Sequence, residues 1–126
     1  MTRRVVLVCG GRDYDDEGTL FEVLDAAHAS DPISLLVHGG GRGADSLAGQ
    51  WAVQRRVELR VFMANWKEEG KKAGPIRNQR MLDEARPDLV IAFPGGKGTN
   101  GMVRRAHAAG VAVIQIHPEW REGSNE

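Results

Sequence analysis

Three consecutive glycines follow an apolar run in the segment "HGGGRGAD", residues 38–45, and an arginine and an aspartate come close behind them. Glycine loses backbone entropy on folding, so such a cluster marks unusual dihedral angles or a backbone that something approaches closely. A helix that begins near Ala44 would add free amide groups and the positive end of its dipole. The segment therefore predicts a phosphate site. Its candidate ligand contacts are Gly39, Gly40, Gly41, Arg42, Gly43 and Asp45, with Asp45 also the candidate catalytic acid or base.

The alternative for this segment is a tight turn in which Asp45 caps the helix. A second glycine loop, "FPGGKGTN" at residues 93–100, repeats the arrangement, and Thr99 or Asn100 is expected to cap the helix after it. Two such loops are stronger support for a ligand site than one. The candidate contacts in the second loop are Gly95, Gly96, Lys97, Gly98, Thr99 and Asn100.

Neither loop completes a standard nucleotide fingerprint. Gly39, Gly41 and Ala44 fit G-x-G-x-x-A, but the next strand ends in Met63-Ala64-Asn65, without the acidic residue that binds a ribose. Glu119 lies at about the expected distance after the second loop, although a glutamate in a tail is usually solvated. The Gly-Lys-Ser/Thr ending of a Walker loop is absent.

The stretch "NWKEEGKKAGPIRNQR" holds five basic and two acidic side chains, a local charge of +3. Pro75 fits a first helical turn, which would put Arg77 and Asn78 beside the amino end of a helix. An arginine there opposes the helix dipole unless an anion offsets it, so Arg77 and Asn78 are predicted ligand contacts. The lysines could equally form a solvated face. Trp66 either stacks on a base or covers a helix.

The segment "CGGRD" after the first strand adds Gly10, Gly11 and Arg12 as predicted contacts, and Arg12 could instead pair with Asp13. The scattered histidines and the single cysteine show no metal-ligand spacing, so we expect no metal and no required cofactor other than a nucleotide-type ligand. Cys9 is expected to be a small buried residue rather than a nucleophile.

Five short β-branched segments alternate with segments of helical periodicity. The predicted strands cover 3–9, 33–37, 58–63, 88–93 and 111–116, and the predicted helices 17–29, 44–56, 75–85 and 99–109. This pattern predicts an α/β fold: a single Rossmann-like, doubly wound sheet of about five parallel strands with helices on both faces. The domain would span residues 3–117, followed by a polar tail at 118–126. All the glycine clusters then fall in strand-to-helix loops, at the carboxyl edge where such sheets bind ligands.

The chain has 126 residues, 41% of them hydrophobic, with seventeen basic and seventeen acidic side chains. This balance predicts one globular domain and argues against nucleic acid as a partner. No apolar run is long enough to span a membrane, so we expect a cytoplasmic protein with no membrane partner. Formation of a homo-oligomer is left open.

Four motifs, "GGRDY", "HGGGRGADSLAGQWA", "NWKEEGKKAGPIRNQRML" and "AFPGGKGTNGMVRRA", resemble in this order the YspA-like branch of the SLOG superfamily. That superfamily contains DNA-processing protein A and the LOG phosphoribohydrolases. The resemblance covers nearly the whole chain. It implies a Rossmann-like domain that binds a nucleotide or a nucleotide-derived ligand such as ADP-ribose or an NAD fragment, often as a sensor in phage or bacteria.

One position departs from the LOG pattern P-G-G-x-G-T-x-x-E. Met102 stands where that family has the glutamate that assists cleavage between base and ribose, and a thioether cannot transfer a proton. We place the side chain of Met102, one turn into its helix, beside the capping residues, from where a glutamate would reach the ribose of a bound nucleotide. The sequence therefore favours a nucleotide binder. The alternatives are an N-glycosidic phosphoribohydrolase that uses Asp45, or Asp13, and a module for single-stranded nucleic acid.

Overall fold

A computed structural model of the chain describes residues 3–119. Its centre is one sheet of five parallel strands in the order β3-β2-β1-β4-β5. The strands are β1 (Val5–Cys9), β2 (Leu35–His38), β3 (Glu58–Val61), β4 (Leu89–Ala92) and β5 (Ala112–Gln115). In the register, Val6 of β1 lies between Leu36 of β2 and Leu89 of β4. The predicted fold class, a Rossmann-like parallel sheet, is confirmed.

Five α-helices connect the strands: α1 (Glu17–Ser30), α2 (Ala44–Gln54), α3 (Trp66–Glu69), α4 (Ala73–Arg80) and α5 (Lys97–Ala108). A short 3₁₀ turn, Gly70–Lys72, joins α3 to α4, and a wide π turn, Met81–Ala85, extends α4 toward β4. Asp16 caps α1, because its side chain accepts a hydrogen bond from the N–H of Thr19 (3.1 Å).

The residues of β1 are all buried and alternate between two apolar layers. Val6 and Val8 pack in one layer, which also contains Leu20 and Leu24 of α1 and the fully buried Trp51 of α2. The other residues of β1, which are Val5, Leu7 and Cys9, face the second layer. Buried side chains of the π turn and α5 complete that layer: Met81, Leu82, Met102, Val103 and Ala106. Helices therefore cover both faces of the sheet, and the candidate ligand-binding residues lie mainly in the loops at its carboxyl edge.

Two local predictions need correction. The third predicted helix was expected to begin at Pro75, but α4 begins at Ala73 and Pro75 is its third residue. The stretch before it was expected to be irregular, yet residues 66–72 form α3 and the 3₁₀ turn. Asn65 explains the start of α3, because its Oδ1 accepts a hydrogen bond from the N–H of Glu68 (3.2 Å). The expected edge position of β3 is confirmed.

Within residues 3–119, no helix is long and apolar enough to cross a membrane. Residues 120–126, most of the polar tail proposed from the sequence, lie outside the described residues. The division into a domain at 3–117 and a tail at 118–126 therefore stays a prediction.

Candidate ligand site at the carboxyl edge

The strand order reverses between β1 and β4, the neighbouring central strands. The connection from β1 runs toward β2 on one side and the connection from β4 runs toward β5 on the other, so their loops part at the carboxyl edge. Ligands of doubly wound sheets bind at such a switch point. Here the two loops touch, because the N–H of Gly11 donates a hydrogen bond to the carbonyl of Pro94 (2.9 Å).

Four glycines lie where the loops after β1, β2 and β4 meet, and we call Gly10, Gly11, Gly43 and Gly95 the loop junction. A Cβ at Gly11 would lie 2.9 Å from the carbonyl oxygen of Pro94, and one at Gly95 would lie 2.7 Å from the nitrogen of Gly11. Gly43 has φ +74°, and a Cβ there would lie 2.6 Å from the carbonyl carbon of Arg12. Contacts within the protein therefore require these glycines.

The rest of the first glycine loop is also filled by protein. Gly39 lies against the guanidinium of Arg77, and Gly40, with φ +75°, lies against the thioether of Met63. The Nδ1 of His38 accepts a hydrogen bond from the N–H of Gly40 (2.9 Å), which ties the loop to the end of β2. The sequence analysis gave no partner for His38. Its position directly before the glycines is the feature that indicates a contact with their backbone N–H groups.

The second glycine loop presents a different surface, which we call the open rim: Gly96, Lys97, Gly98 and Asn100. All four residues are exposed. A Cβ at Gly96 or Gly98 would meet no atom within 4 Å, and neither residue has a positive φ. Nothing in the described part of the protein therefore requires glycine at these two positions.

The start of α5 differs from the prediction. Gly96 is the N-cap residue, and within the described residues no side chain caps the helix. The prediction that Thr99 or Asn100 does so is wrong, because the helix begins at Lys97 and both residues lie inside it. Thr99 is buried with its hydroxyl against Gly95, while Asn100 faces solvent and its N–H donates to the carbonyl of Gly96 (3.0 Å).

Arg77 and Asn78 connect the two glycine loops. The guanidinium of Arg77 donates hydrogen bonds to the carbonyl of Gly39 and, through Nε, to Oδ1 of Asn78 (2.9 Å). The Nδ2 of the buried Asn78 donates to the carbonyl of Gly98 (3.4 Å). Arg77 was expected to need an anion at the amino end of its helix, but it is the fifth residue of α4 and has protein acceptors. Burial lowers the pKa of Arg77, and the charge of Asp45 opposes that shift.

Asp45 is partly buried at the start of α2. It does not cap that helix, because Gly43 is the N-cap residue and the Oδ2 of Asp45 instead accepts a hydrogen bond from the N–H of Gly41 (3.0 Å). Burial raises the pKa of Asp45, while this hydrogen bond and the charge of Arg77 act to lower it. A carboxyl group in such surroundings is a candidate general acid.

The two exposed arginines near the first loop have separate partners. The guanidinium of Arg12 lies 5.4 Å from the centroid of the Trp66 ring, a contact that the sequence did not reveal. Arg42 pairs with Asp13 (3.3 Å), so the expected alternative pairing of Arg12 with Asp13 is not formed. The Arg42–Asp13 pair is exposed and contributes little to stability, which leaves Arg42 available to a ligand.

Met102 does not face the site. Its side chain is fully buried in the core layer that contains Leu7 and Val90, so its predicted position beside the ligand is wrong. Val103 and Ala106 share this buried face. Their helical spacing with Met102 in the sequence indicates that this side of α5 faces the core. Cys9 is buried as predicted, and burial raises the pKa of its thiol to about 12, so it is not a thiolate at neutral pH. Among the described residues no cluster of His, Cys, Asp or Glu could hold a metal ion.

These features define a doubly wound, Rossmann-type domain with its glycine loops at the switch point. A solved structure of similar fold is glycinamide ribonucleotide transformylase 1 from Geobacillus kaustophilus, with a TM-score of 0.55 and 21% identity; the match covers 100% of this chain and 63% of that one. More specifically, the chain belongs to the YspA, cpYpsA-related SLOG family, whose model matches residues 4–68. The family resemblance inferred from the motifs is thus confirmed.

Two relatives extend the match beyond the first three strands. The gene 61 protein of Mycobacterium phage D29 is 40% identical over 121 residues, which are 90% of this chain and 96% of that protein. An acetylglutamate kinase of Parabacteroides distasonis is 35% identical over 116 residues, 92% of this chain but 38% of that protein. The chain thus spans the phage relative almost fully and the kinase only in part.

Proposed function

We propose that the protein binds a nucleotide or nucleotide-derived ligand (ADP-ribose, an NAD fragment or a nucleoside monophosphate) at the carboxyl edge, and acts as a sensor rather than an enzyme. One observation carries the proposal: the open rim holds two glycines, Gly96 and Gly98, that the protein's own contacts do not require. Membership of the SLOG family supports the same ligand class.

The cost of these glycines makes the observation informative. Glycine in a helix interior is about 1 kcal/mol less favourable than alanine, and Gly98, the second residue of α5, bears part of that cost with neither a positive φ nor a close neighbour. A ligand that approaches the backbone closely would explain its presence. The amino end of α5, with no side-chain cap, offers amide groups to a phosphate, and Lys97 adds a positive charge.

Binding would be tested by thermal shift and calorimetry with AMP, ADP-ribose, NAD, cyclic nucleotides and a short oligonucleotide. We expect a dissociation constant in the micromolar range or tighter for at least one nucleotide. The test variant is Gly98→Val, and the matched control is Gly101→Val, one turn further along α5, where a Cβ has only Arg104 at 3.8 Å. Both place a β-branched residue in the same helix, so their effects on folding should be similar.

Gly98→Val should weaken nucleotide binding at least tenfold, because the added methyl groups block approach to the amides, while Gly101→Val should leave it within about twofold. Absence of binding by the wild-type protein would reject the proposal. Equal weakening by both variants would show that the rim is only a helix start. A preference for the oligonucleotide would favour the nucleic-acid module.

A second candidate, an N-glycosidic phosphoribohydrolase, is favoured by the raised pKa of Asp45. If the protein is only a binder, chromatography should detect no free base released from AMP over hours. A site without a positioned acid or base lacks the rate enhancement, about 10²–10⁴-fold, that such a group normally supplies. Release that disappears in Asp45→Asn would replace the binder with the enzyme. Release that persists in Asp45→Asn would point to a contaminating activity.

A further inference from the structure

We propose that Trp66 is the surface on which the base of the ligand stacks, so that the site selects nucleotides over sugar phosphates. This inference rests on the proposed function and names the part of the ligand that the open rim leaves undefined. It is carried by three observations: the exposure and support of the indole, the residue that now covers it, and the helix that contacts both the indole and the rim.

The indole of Trp66 is held at the carboxyl edge but not buried there. Trp66 is the first residue of α3, shortly after β3, and is 48% exposed. Its ring rests on α4, since a Cβ at Gly74 would lie 3.2 Å from Cη2. Among the exposed large hydrophobic residues that the structure describes, Trp66 is the aromatic one. An exposed aromatic face on a fixed ring suits stacking by any base.

Arg12 occupies the place that a base would take. Its guanidinium reaches from the loop after β1 and lies 5.4 Å from the centroid of the indole. Arg12 is itself exposed, and a cation–π contact at an exposed site is weak, so a base can displace the guanidinium. Planar guanidinium groups and bases stack on aromatic rings in the same way. The displaced Arg12 would remain beside the site as a cation for a phosphate.

One helix, α4, contacts both the indole and the rim. Trp66 packs at Gly74, and Asn78 donates its hydrogen bond to Gly98. Gly74 and Asn78 are four residues apart and therefore lie on one face of α4, about 6 Å apart along its axis. The same helix therefore positions both the stacking surface and the rim.

Calorimetry with AMP and with ribose 5-phosphate tests the inference, because the two ligands share the phosphate and differ in the base. Trp66→Leu should weaken AMP binding about tenfold or more, and leave ribose 5-phosphate binding unchanged. Trp66→Phe should retain most of the AMP affinity, because a benzene ring still stacks. Val53→Ala, which shortens a 71% exposed side chain on α2, is the control for loss of exposed apolar surface.

The outcomes separate this inference from the proposed function. If the wild-type protein binds neither these two ligands nor any other nucleotide of the panel above, both proposals are wrong. If it binds AMP, but Trp66→Leu binds AMP as well as the wild type does, the stacking role is wrong and the phosphate site stands. An equal loss for AMP and ribose 5-phosphate would mean that Trp66 only supports the fold, and would also overturn the inference.

Discussion

The two glycine loops at the carboxyl edge look alike in sequence and differ in what surrounds them. In the first, residues 38–45, the glycines are enclosed: Gly39 by Arg77, Gly40 by Met63 and Gly43 by the loop after β1. In the second, residues 93–100, a Cβ at Gly95 would clash with Thr99 and Gly11, but Gly96 and Gly98 face open space. One loop uses its glycines mainly to let parts of the protein meet. The other leaves space that the protein does not fill.

This difference changes how a glycine motif is interpreted. A sequence match to G-x-G-x-x-G says that a backbone is approached closely, but not by what. In the first loop the approaching groups belong to the protein itself, so several predicted ligand contacts have a structural role that is sufficient to explain them. The contrast is testable, because adding a Cβ should damage folding in one loop and binding in the other.

The largest effect is expected for Gly43→Ala. The φ of +74° is unfavourable for alanine, and its Cβ would clash with Arg12 and with the carbonyl of Gly11. Strain and overpacking together should lower the free energy of unfolding by about 3 kcal/mol. Chemical denaturation of the variant and the wild type measures this difference.

Gly96→Ala is the matched control in the second loop. Its Cβ has no neighbour within 4 Å, so the cost should stay below about 1 kcal/mol, the difference between glycine and alanine as an N-cap residue. Similar costs for the two variants would mean that the loops do not differ in packing, and the comparison would be lost.

A smaller effect should come from pH, through His38. Burial, assisted by the charge of Arg77, lowers the pKa of this histidine from 6.5 to about 4. The unfolded chain then binds more protons than the folded one between these values, so His38 favours folding fully above pH 6.5 and loses that contribution as the pH falls toward 4. The free energy of unfolding should fall by about 2 kcal/mol between pH 6.5 and 4.5 from this group alone.

The variant His38→Gln isolates this contribution. Burial raises the pKa of Asp45, so this group lowers the free energy of unfolding as the pH rises above 3.8, opposite to the effect of His38. Because Asp45 is present in both proteins, its effect cancels in the comparison. The variant should show a flatter pH profile than the wild type. An imidazole resonance of His38 that titrates near 6.5 in the folded protein would contradict the buried hydrogen bond to Gly40 on which the prediction depends.

The fold could be predicted from the sequence because its signal is local. Runs such as Val5-Val6-Leu7-Val8 are apolar on both faces, as central parallel strands must be, and each is followed by a helical pattern. The position of the glycine loops at one edge followed from that alternation alone. Boundaries shifted by only a few residues, as in α5, which begins at Lys97.

The contacts at the site could not be predicted, because they join distant parts of the chain. Gly11 meets Pro94, and Arg77 donates to Gly39 across 38 positions, through geometry that only the assembled sheet creates. The position of Met102 differs from the prediction for another reason: the LOG motif predicts a side chain near the ligand, whereas its apolar spacing with Val103 and Ala106 indicates the core.

The smallest expected effect concerns Gly98→Ala and has opposite signs for folding and binding. The position is inside α5 and a Cβ there has open space, so alanine should raise the free energy of unfolding by about 0.5 kcal/mol. The same methyl group would stand where a phosphate approaches the amides, so AMP should bind more weakly. Gly101→Ala, in the same helix, should stabilise the protein by a similar amount and leave binding unchanged. Denaturation and calorimetry on these two variants measure both quantities. A stabilised Gly98→Ala that still binds AMP as tightly as the wild type would remove the functional reason for this glycine, and with it the difference between the open rim and any ordinary helix start.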